Sequence, residues 1–278
     1  MTDDKDIADL RGKIDQIDDS LLALINERAR KAMKVGNKKP GQKADIVYRP
    51  EREAQILQRL QQANSGPLES VVVERLFREI ISACRAIEAK PSIATLGPDG
   101  TFSELATRKQ FGAEINLELT SSIEEVFRLV EAEHCDIGVV PVENSAEGGI
   151  HLTLDRLLTT SLKICGEIDL RIKHCLIGSA ESTSPIRVLA HQQALAQCRQ
   201  WLDVNLPSIE RVACASNSDA VRQILDDPTS VAIASEEAAE AYGLQVLHAD
   251  IEDQPGNTTR FLVLGRHTVQ ASGQDKTS

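Results

Sequence analysis

The chain has 278 residues, of which 41% are hydrophobic and 26% are charged, and its formal net charge is −11. This length predicts two domains, and the composition is typical of a soluble globular protein. Such an acidic chain is a poor partner for nucleic acid, and no apolar stretch approaches the ~18 residues of a membrane span. The N-terminus lacks the features of a signal peptide, so we expect a cytoplasmic protein.

The six cysteines are scattered without a CxxC pair. This spacing argues against a zinc site or a disulfide framework and favours buried, reduced thiols. The net charge also means that an anionic substrate would need cations placed locally against the field of the protein.

Residues 6–90 have helical periodicity throughout. The first helix carries apolar residues at heptad spacing, which a partner helix must cover: Ile7, Leu10, Ile14, Ile17, Leu21 and Leu24. It is expected to end near Lys39, because a Pro-Gly pair follows. The proline at position 50 suits the start of a second helix, which is expected to run to about Ala63. A third helix is predicted over Leu68–Ala89.

The heptad count brings a cation, Arg28, onto the apolar seam of helix one. A buried guanidinium is costly unless an anion meets it, so Arg28 either binds a ligand, forms a structural ion pair or marks a seam that opens to solvent. Lys39, about three turns later, points the same way. Arg11 precedes Arg28 by about 25 Å of straight helix, so both can grip one small ligand only if Arg11 comes from a second chain.

The other two predicted helices add polar candidates. Arg49, Arg52 and Glu53 come from helix two, and Cys84 and Glu88 lie one turn apart on helix three. Glu88 adjoins an apolar stripe, so it is either partly buried or a surface residue near a helix end.

These residues belong to motifs that resemble the all-helical chorismate mutase domain over nearly all of residues 5–90. The motifs are Leu10-Arg11-xx-Ile14, Asn26-Glu27-Arg28, Val35-Gly36-xx-Lys39, Tyr48 to Glu53, and Arg75-Leu76-Phe77. The resemblance implies an intertwined homodimer in which Arg11 crosses to the partner's site. It also implies substrate-binding roles for Arg28, Lys39, Arg49, Arg52, Glu53, Cys84 and Glu88. Some family members have aspartate at the Arg49 position and serine at the Cys84 position, so substrate positioning is expected to differ there.

Chorismate is a dianion, so its carboxylates need Arg or Lys partners. Its rearrangement to prephenate is pericyclic and needs only a held conformer and stabilised charge on the breaking ether, without metal or cofactor. By the resemblance, Lys39 and Glu88 act at this step, and Glu53 accepts a hydrogen bond from the substrate hydroxyl. An ionised carboxylate cannot donate to the ether oxygen, so Glu88 must be protonated and mutase activity is expected to fall as pH rises.

A second domain begins after Pro91, where proline ends the helix. We expect a helical domain at 1–91, an α/β domain at 92–268 and a disordered polar tail at 269–278. Nine strand-like runs alternate with helical segments, which is high for one sheet and predicts two. Polar turns follow several strands, at 97–104, 120–125 and 215–219. Each is either a simple helix cap or part of an anion site at strand ends.

The motifs GPDGTFSE, DIGVVPVENS, the HCL at His174 and NTTRF make residues 92–266 similar to prephenate dehydratase. The resemblance implies two α/β lobes, like a periplasmic binding protein, that close over a cleft. It makes Thr259 the essential residue and places Glu143, Asn144 and Gln197 in the cleft. Ala190 replaces the serine of the usual Ser-His-Pro pattern, which is expected to weaken substrate binding.

Dehydration of prephenate expels carbon dioxide and hydroxide, and hydroxide leaves well only if a proton is delivered. We expect Thr259 to donate a hydrogen bond to the departing oxygen and Glu143 to supply the proton. Carboxylate-binding candidates are Thr101, Ser103, Asn144 and Arg260, although Arg260 is alternatively a structural ion pair. Replacing Thr259 with Ala is expected to abolish phenylpyruvate formation and to spare prephenate formation.

Two other hypotheses remain at this point. The α/β half could be a ligand-sensing module fused to a working mutase, or the helices could be a dimerisation module of a regulator. Relatives of this kind continue into an ACT domain that binds phenylalanine, and this chain stops about where that domain would begin. We therefore expect weak or no inhibition by phenylalanine.

Overall fold

The computed structural model describes residues 2–36, 48–146, 148–180, 182 and 184–268. They form two compact units. The main segment of the first unit ends at Pro91, and the second unit starts at Ser92. The short segment Phe111–Ile115 groups with the first unit, which the sequence did not predict. The expected tail lies outside the described residues.

The first unit is built from three helices, as predicted: α1 (Thr2–Gly36), α2 (Pro50–Ala63) and α3 (Ser70–Glu88). Proline at the first position of α2 suits the helix because its fixed φ matches and its missing N–H would have no partner there. After α3 the backbone of Ala89 is extended, which ends the helix ahead of Pro91. Lys39 and the predicted end of helix one lie outside the described residues.

Helix α3 contacts both α1 and α2 and supplies most of the buried side chains of this unit. The buried apolar residues include Leu57, Ile81 and Cys84. The heptad stripe of α1 is different, because its six residues from Ile7 to Leu24 are between 46% and 62% exposed. The described residues of this chain therefore leave the seam largely uncovered.

The second unit alternates strands and helices. The strands are β1 (Ser92–Leu96), β2 (Asn116–Thr120), β3 (Ile137–Asn144), β4 (Gly148–Gly149), β5 (Lys163–Arg171), β6 (Cys175–Gly178), β7 (Arg187–His191), β8 (Glu210–Cys214), β9 (Ser230–Ala234), β10 (Gln245–His248) and β11 (Thr258–Gly265). The helices are α4 (Phe102–Phe111), α5 (Ile123–Glu131), α6 (His151–Thr159), α7 (Gln192–Gln197), α8 (Arg199–Asn205), α9 (Asn217–Gln223) and α10 (Glu236–Tyr242).

The strands form two sheets, which confirms the prediction. The first has the order β2-β1-β3-β11-β5, with β4 paired to β3, and β11 runs antiparallel to both of its neighbours. The second has the order β10-β6-β9-β7-β8. Central strands such as β9 are buried along their whole length, as expected for β-branched and small apolar runs covered on both faces.

Each sheet with its helices forms one lobe, and the chain crosses between the lobes twice. The crossings follow β5 and precede β11, and they are joined where the Ile172 N–H donates to the Asn257 carbonyl at 2.8 Å. Serine side chains cap α5, α9 and α10 at Ser122, Ser216 and Ser235. The two-lobed architecture predicted from the sequence is therefore present, with helix N-termini placed at strand ends.

Within the described ranges, no helix combines the length and the apolar character that crossing a membrane requires.

Candidate active sites

Arg11 and Arg28 are carried by one continuous helix, α1. Arg28 is half-buried, and its Nη1 lies 3.5 Å from the Ile80 carbonyl oxygen of α3. Arg11 is exposed on the same helix, about 25 Å away at ~1.5 Å of rise per residue. The structure therefore does not bring Arg11 and Arg28 of one chain together, and Lys39 lies outside the described residues.

Glu53 is held by a residue that the sequence did not single out, Arg85 of α3. Arg85 Nη1 donates to Glu53 Oε1 at 2.5 Å, and the two side chains are only 5% and 13% exposed. Burial raises the pKa of Glu53, and the Arg85 guanidinium opposes that shift. Arg28 adds to the positive potential at Glu53, so the structure places these two predicted residues near each other.

The remaining mutase candidates differ in burial. Cys84 is buried, whereas Arg49, Arg52 and Glu88 are exposed. Glu88 is the last residue of α3, and this position explains its exposure within one chain. Within its own chain, Glu88 is therefore a surface residue at a helix end, the second of the two alternatives.

The second unit contains a cleft of about 710 Å³ between its two lobes. One wall comes from residues that follow β1, β2 and β3, and the other comes from residues that follow β7, β8 and β9. Ligands of open α/β sheets bind outside the carboxyl ends of the strands, which is where this cleft lies. Five residues predicted from the sequence line it: Thr101, Ser103, Asn144, Gln197 and Thr259.

Asn144 and Thr259 are neighbours on β3 and β11. Asn144 Nδ2 donates to Thr259 Oγ1 at 2.8 Å, and Asn144 Oδ1 accepts from the Ala146 N–H at 2.9 Å. Because the Asn144 carbonyl is occupied by a donor, its amino group is the part that faces Thr259. Thr259 thus accepts from Asn144, and its own O–H remains available to donate into the cleft.

Gln197 belongs to a buried polar cluster where the chain crosses between lobes. Its Oε1 accepts from Asn257 Nδ2 at 3.2 Å and lies 2.7 Å from Nε2 of His174. Burial lowers the pKa of His174, so the neutral ring carries its proton on Nε2 and donates to Gln197. With Oε1 occupied twice, the Gln197 amino group is the part left to bind a ligand.

Thr101 and Ser103 lie at the start of α4. The Thr101 hydroxyl donates to the Leu96 carbonyl at 2.9 Å and accepts from the Glu104 N–H at 3.3 Å, so it already serves as a helix cap. Ser103 is buried and lines the cleft.

Glu143 and Arg260 were expected in the cleft, but the structure does not place them there. They pair across β3 and β11, where the Arg260 Nη2 to Glu143 Oε2 distance is 3.7 Å, and neither lines the cleft. Successive side chains of a strand point to opposite faces, so both residues face away from Thr259 and Asn144. Arg260 therefore takes the structural alternative, and the Glu143 side chain does not line the cleft.

The structure places further residues in the cleft, several of them from the polar turn at 215–219, which the sequence left open as a helix cap or part of an anion site. Of the residues that the structure describes along the cleft, Arg222 of α9 is the single Arg or Lys. Its Nη2 lies 3.6 Å from Asp219 Oδ1. Ser218 is fully buried beside it, and its hydroxyl has no hydrogen-bond partner among the described residues. The polar turn at 215–219 was the feature of the sequence that could have predicted this wall of the cleft.

The sequence matches two known families in the order of the two units. Residues 10–89 match chorismate mutase type II, and residues 93–269 match prephenate dehydratase. A bifunctional chorismate mutase/prephenate dehydratase from Pseudomonas aeruginosa is 48% identical over 100% of this chain and 78% of its own length. The protein of that name from Neisseria gonorrhoeae is 48% identical over 96% of this chain and 74% of its own length.

Among solved structures, a prephenate dehydratase from Arthrobacter aurescens in complex with L-Phe has a TM-score of 0.60 and 34% identity. The match covers 64% of this chain and 61% of that structure. Both family matches and the full-length similarity agree with the helical unit and the two-lobed unit described above. The chain therefore belongs to the family of bifunctional chorismate mutase/prephenate dehydratases of phenylalanine biosynthesis.

Proposed function

We propose that the helical unit rearranges chorismate to prephenate and that the cleft of the second unit converts prephenate to phenylpyruvate. The observation that carries the assignment of the second site is the hydrogen bond from Asn144 to Thr259 in the cleft. It leaves one hydroxyl proton aimed at a ligand, and a departing oxygen needs such a donor.

The dehydratase reaction takes up one proton per turnover. The prephenate dianion and a proton give phenylpyruvate, carbon dioxide and water. The C–C bond to the ring carboxylate breaks, its electron pair enters the ring, and the C–O bond to the hydroxyl breaks. Thr259 stabilises the negative charge that develops on this oxygen by donating a hydrogen bond to it. Because Glu143 lies away from the cleft lining, we propose that solvent in the cleft supplies the proton.

Arg222 is our candidate for one carboxylate of prephenate. A guanidinium binds a carboxylate through two hydrogen bonds, and this side chain lies in the wall of the second lobe. The Gln197 amino group and the Ser103 hydroxyl add neutral donors. Substrate binding would thus combine groups from both lobes, which is how a two-lobed site encloses its ligand.

In the mutase site, the proposed substrate-binding cations are Arg28, Lys39, Arg49 and Arg52, with Arg11 from a partner. Glu53 accepts a hydrogen bond from the substrate hydroxyl. Cys84 and Glu88 lie near the ether oxygen of chorismate. A pericyclic reaction asks only for this positioning and charge stabilisation.

A homodimer follows from the same site. The heptad stripe of α1 is about half exposed in a single chain, and such a stripe calls for a covering partner. Since Arg11 and Arg28 are about 25 Å apart on one straight helix, the partner that covers the stripe can also supply Arg11.

A cytoplasmic location is supported by four buried cysteines that form no disulfide: Cys84, Cys135, Cys175 and Cys198. Buried thiols of this kind are typical of a reducing compartment.

The proposed function is tested by supplying chorismate and measuring both prephenate and phenylpyruvate. We expect both products in sequence. Binding of prephenate without phenylpyruvate formation would instead support a ligand-sensing module. Within the cleft, N144A is expected to reduce dehydratase kcat/KM at least tenfold more than E143Q, its neighbour on the other face. An equal loss in both variants would contradict the proposal that Asn144 acts in the cleft and that Glu143, on the opposite face of β3, does not.

A further inference from the structure

We propose that Arg85 is a positioning residue of the mutase site, which holds the Glu53 carboxylate ionised and oriented for the hydroxyl of chorismate. The inference rests on the proposed role of Glu53.

The guanidinium of Arg85 is fixed on several sides. Its Nη1 donates to Glu53, and its Nη2 donates to the Phe111 carbonyl at 2.6 Å. Its central carbon lies 5.7 Å from the ring centroids of both Tyr48 and Phe111. A buried arginine is tolerated only when its charge is compensated, and here Glu53 is the carboxylate that compensates it, while Arg85 Nε has no hydrogen-bond partner among the described residues.

The ion pair with Arg85 leaves one carboxylate oxygen of Glu53 available. Arg85 occupies Oε1, and no described residue donates to Oε2. A carboxylate oxygen held in this way is an oriented acceptor, and a substrate hydroxyl is the donor it suits.

The pairing also sets the charge of Glu53. Burial raises its pKa, and the opposing charges are Arg85 and Arg78 from α3 and Arg28 from α1. Arg85 is the largest of these and the one that donates a hydrogen bond to Glu53. Removal of an adjacent opposite charge typically raises a carboxyl pKa by about 1–3 units. Glu53 would then be protonated in the mildly acidic range, where it is a weaker acceptor.

The experiment is a double-mutant cycle on the full chain with R85M, E53Q and E53Q/R85M, measured for mutase kcat and KM as a function of pH. R85M is expected to lower mutase kcat/KM by about tenfold or more, the loss typical of one charge-assisted hydrogen bond. The acidic limb of the R85M pH–activity profile, where activity rises with pH, should move to higher pH by about 1–3 pH units relative to the wild type. E53Q should lack this limb, since glutamine does not titrate.

Adding R85M to E53Q is expected to change kcat/KM by less than about twofold, since coupled residues are not additive. R85K should keep the acidic limb near the wild-type position while losing some activity, because lysine keeps the charge but not the fork of donors. R59M is the control, because Arg59 is exposed on α2 and is not among the charges that act on Glu53, and it should leave kcat/KM within about twofold. Helical circular dichroism and thermal unfolding of each variant report whether the helical unit is folded.

The outcomes separate the proposed role of Glu53 from the proposed role of Arg85. Unchanged kinetics in E53Q would overturn the role of Glu53 itself. A loss in E53Q with an unshifted pH profile in R85M would overturn the role of Arg85 alone. An undiminished effect of R85M in the E53Q background would show that Arg85 acts only through packing.

Discussion

Replacing Thr259 with valine tests the proposed dehydratase chemistry most directly. Valine has nearly the shape of threonine, so T259V removes the hydroxyl and preserves the volume of a side chain that is only 7% exposed. The variant loses the donor to the departing oxygen and the acceptor for Asn144 Nδ2, which lies 2.8 Å away in the wild type.

The two losses have different sizes. Loss of a preorganised donor to an oxygen that gains charge in the transition state costs about 10²–10³ in kcat. Loss of the hydrogen bond from Asn144 costs about 1–2 kcal/mol of folding free energy, since a half-buried amide is left without its partner. We therefore expect kcat for phenylpyruvate formation to fall by about 10²–10³, with little change in KM.

The assay follows phenylpyruvate formation from prephenate and, separately, chorismate consumption by the same preparation. T259S is the control, because serine keeps the hydroxyl, and its kcat should stay within about tenfold of the wild type. Chorismate consumption should be unchanged in both variants. A T259V enzyme with near wild-type dehydratase kcat would refute the reasoning, and an equal loss of both activities would contradict two separate sites.

Three further predictions concern binding, assembly and pH. R222Q is expected to raise KM for prephenate by about tenfold or more with a smaller effect on kcat, because it removes a carboxylate partner present in the ground state; an unchanged KM would exclude that contact. The double variant I14E/L21E places charges on the exposed stripe of α1, so sedimentation should show loss of the dimer together with mutase activity, while dehydratase activity persists. E88Q is expected to retain mutase activity up to alkaline pH, because an amide can donate to the ether oxygen at every pH; loss of activity in E88Q would exclude donation at this position.

Local patterns predicted much of the fold. The three helices and nine of the strands follow from heptad spacing, β-branched runs and the prolines and glycines between them, because these signals act within a few residues. The strands β4 and β10 were not predicted, since Gly148–Gly149 has two glycines only and Gln245–His248 is short with only two apolar residues. The grouping of Phe111–Ile115 with the helices was also missed, because it depends on contacts with residues distant in sequence.

Of the residues that the motifs single out in the second unit, some line the cleft and others do not, because a motif does not fix the direction of a side chain. Thr259, Asn144 and Gln197 line the cleft, but Glu143 and Arg260, their neighbours in the same motifs, do not. Residues that are adjacent in a motif are adjacent in the chain, but in a strand their side chains point to opposite faces of the sheet. The sequence alone did not indicate Arg222. This residue lines the cleft because α9 follows β8, and the residues after β8 form part of the cleft wall.

By itself, the sequence determined the order of the two units, their elements and the residues whose chemistry suits dianionic substrates. It also predicted a partner for α1, since the length of one helix separates Arg11 from Arg28 and one small ligand cannot reach both. Only the tertiary structure decided that Asn144 and Thr259, 115 residues apart, share a hydrogen bond, and that Arg85 is buried against Glu53. Strand register and helix packing bring distant residues within ångströms of each other, and the periodicity of a single element carries no information about that pairing.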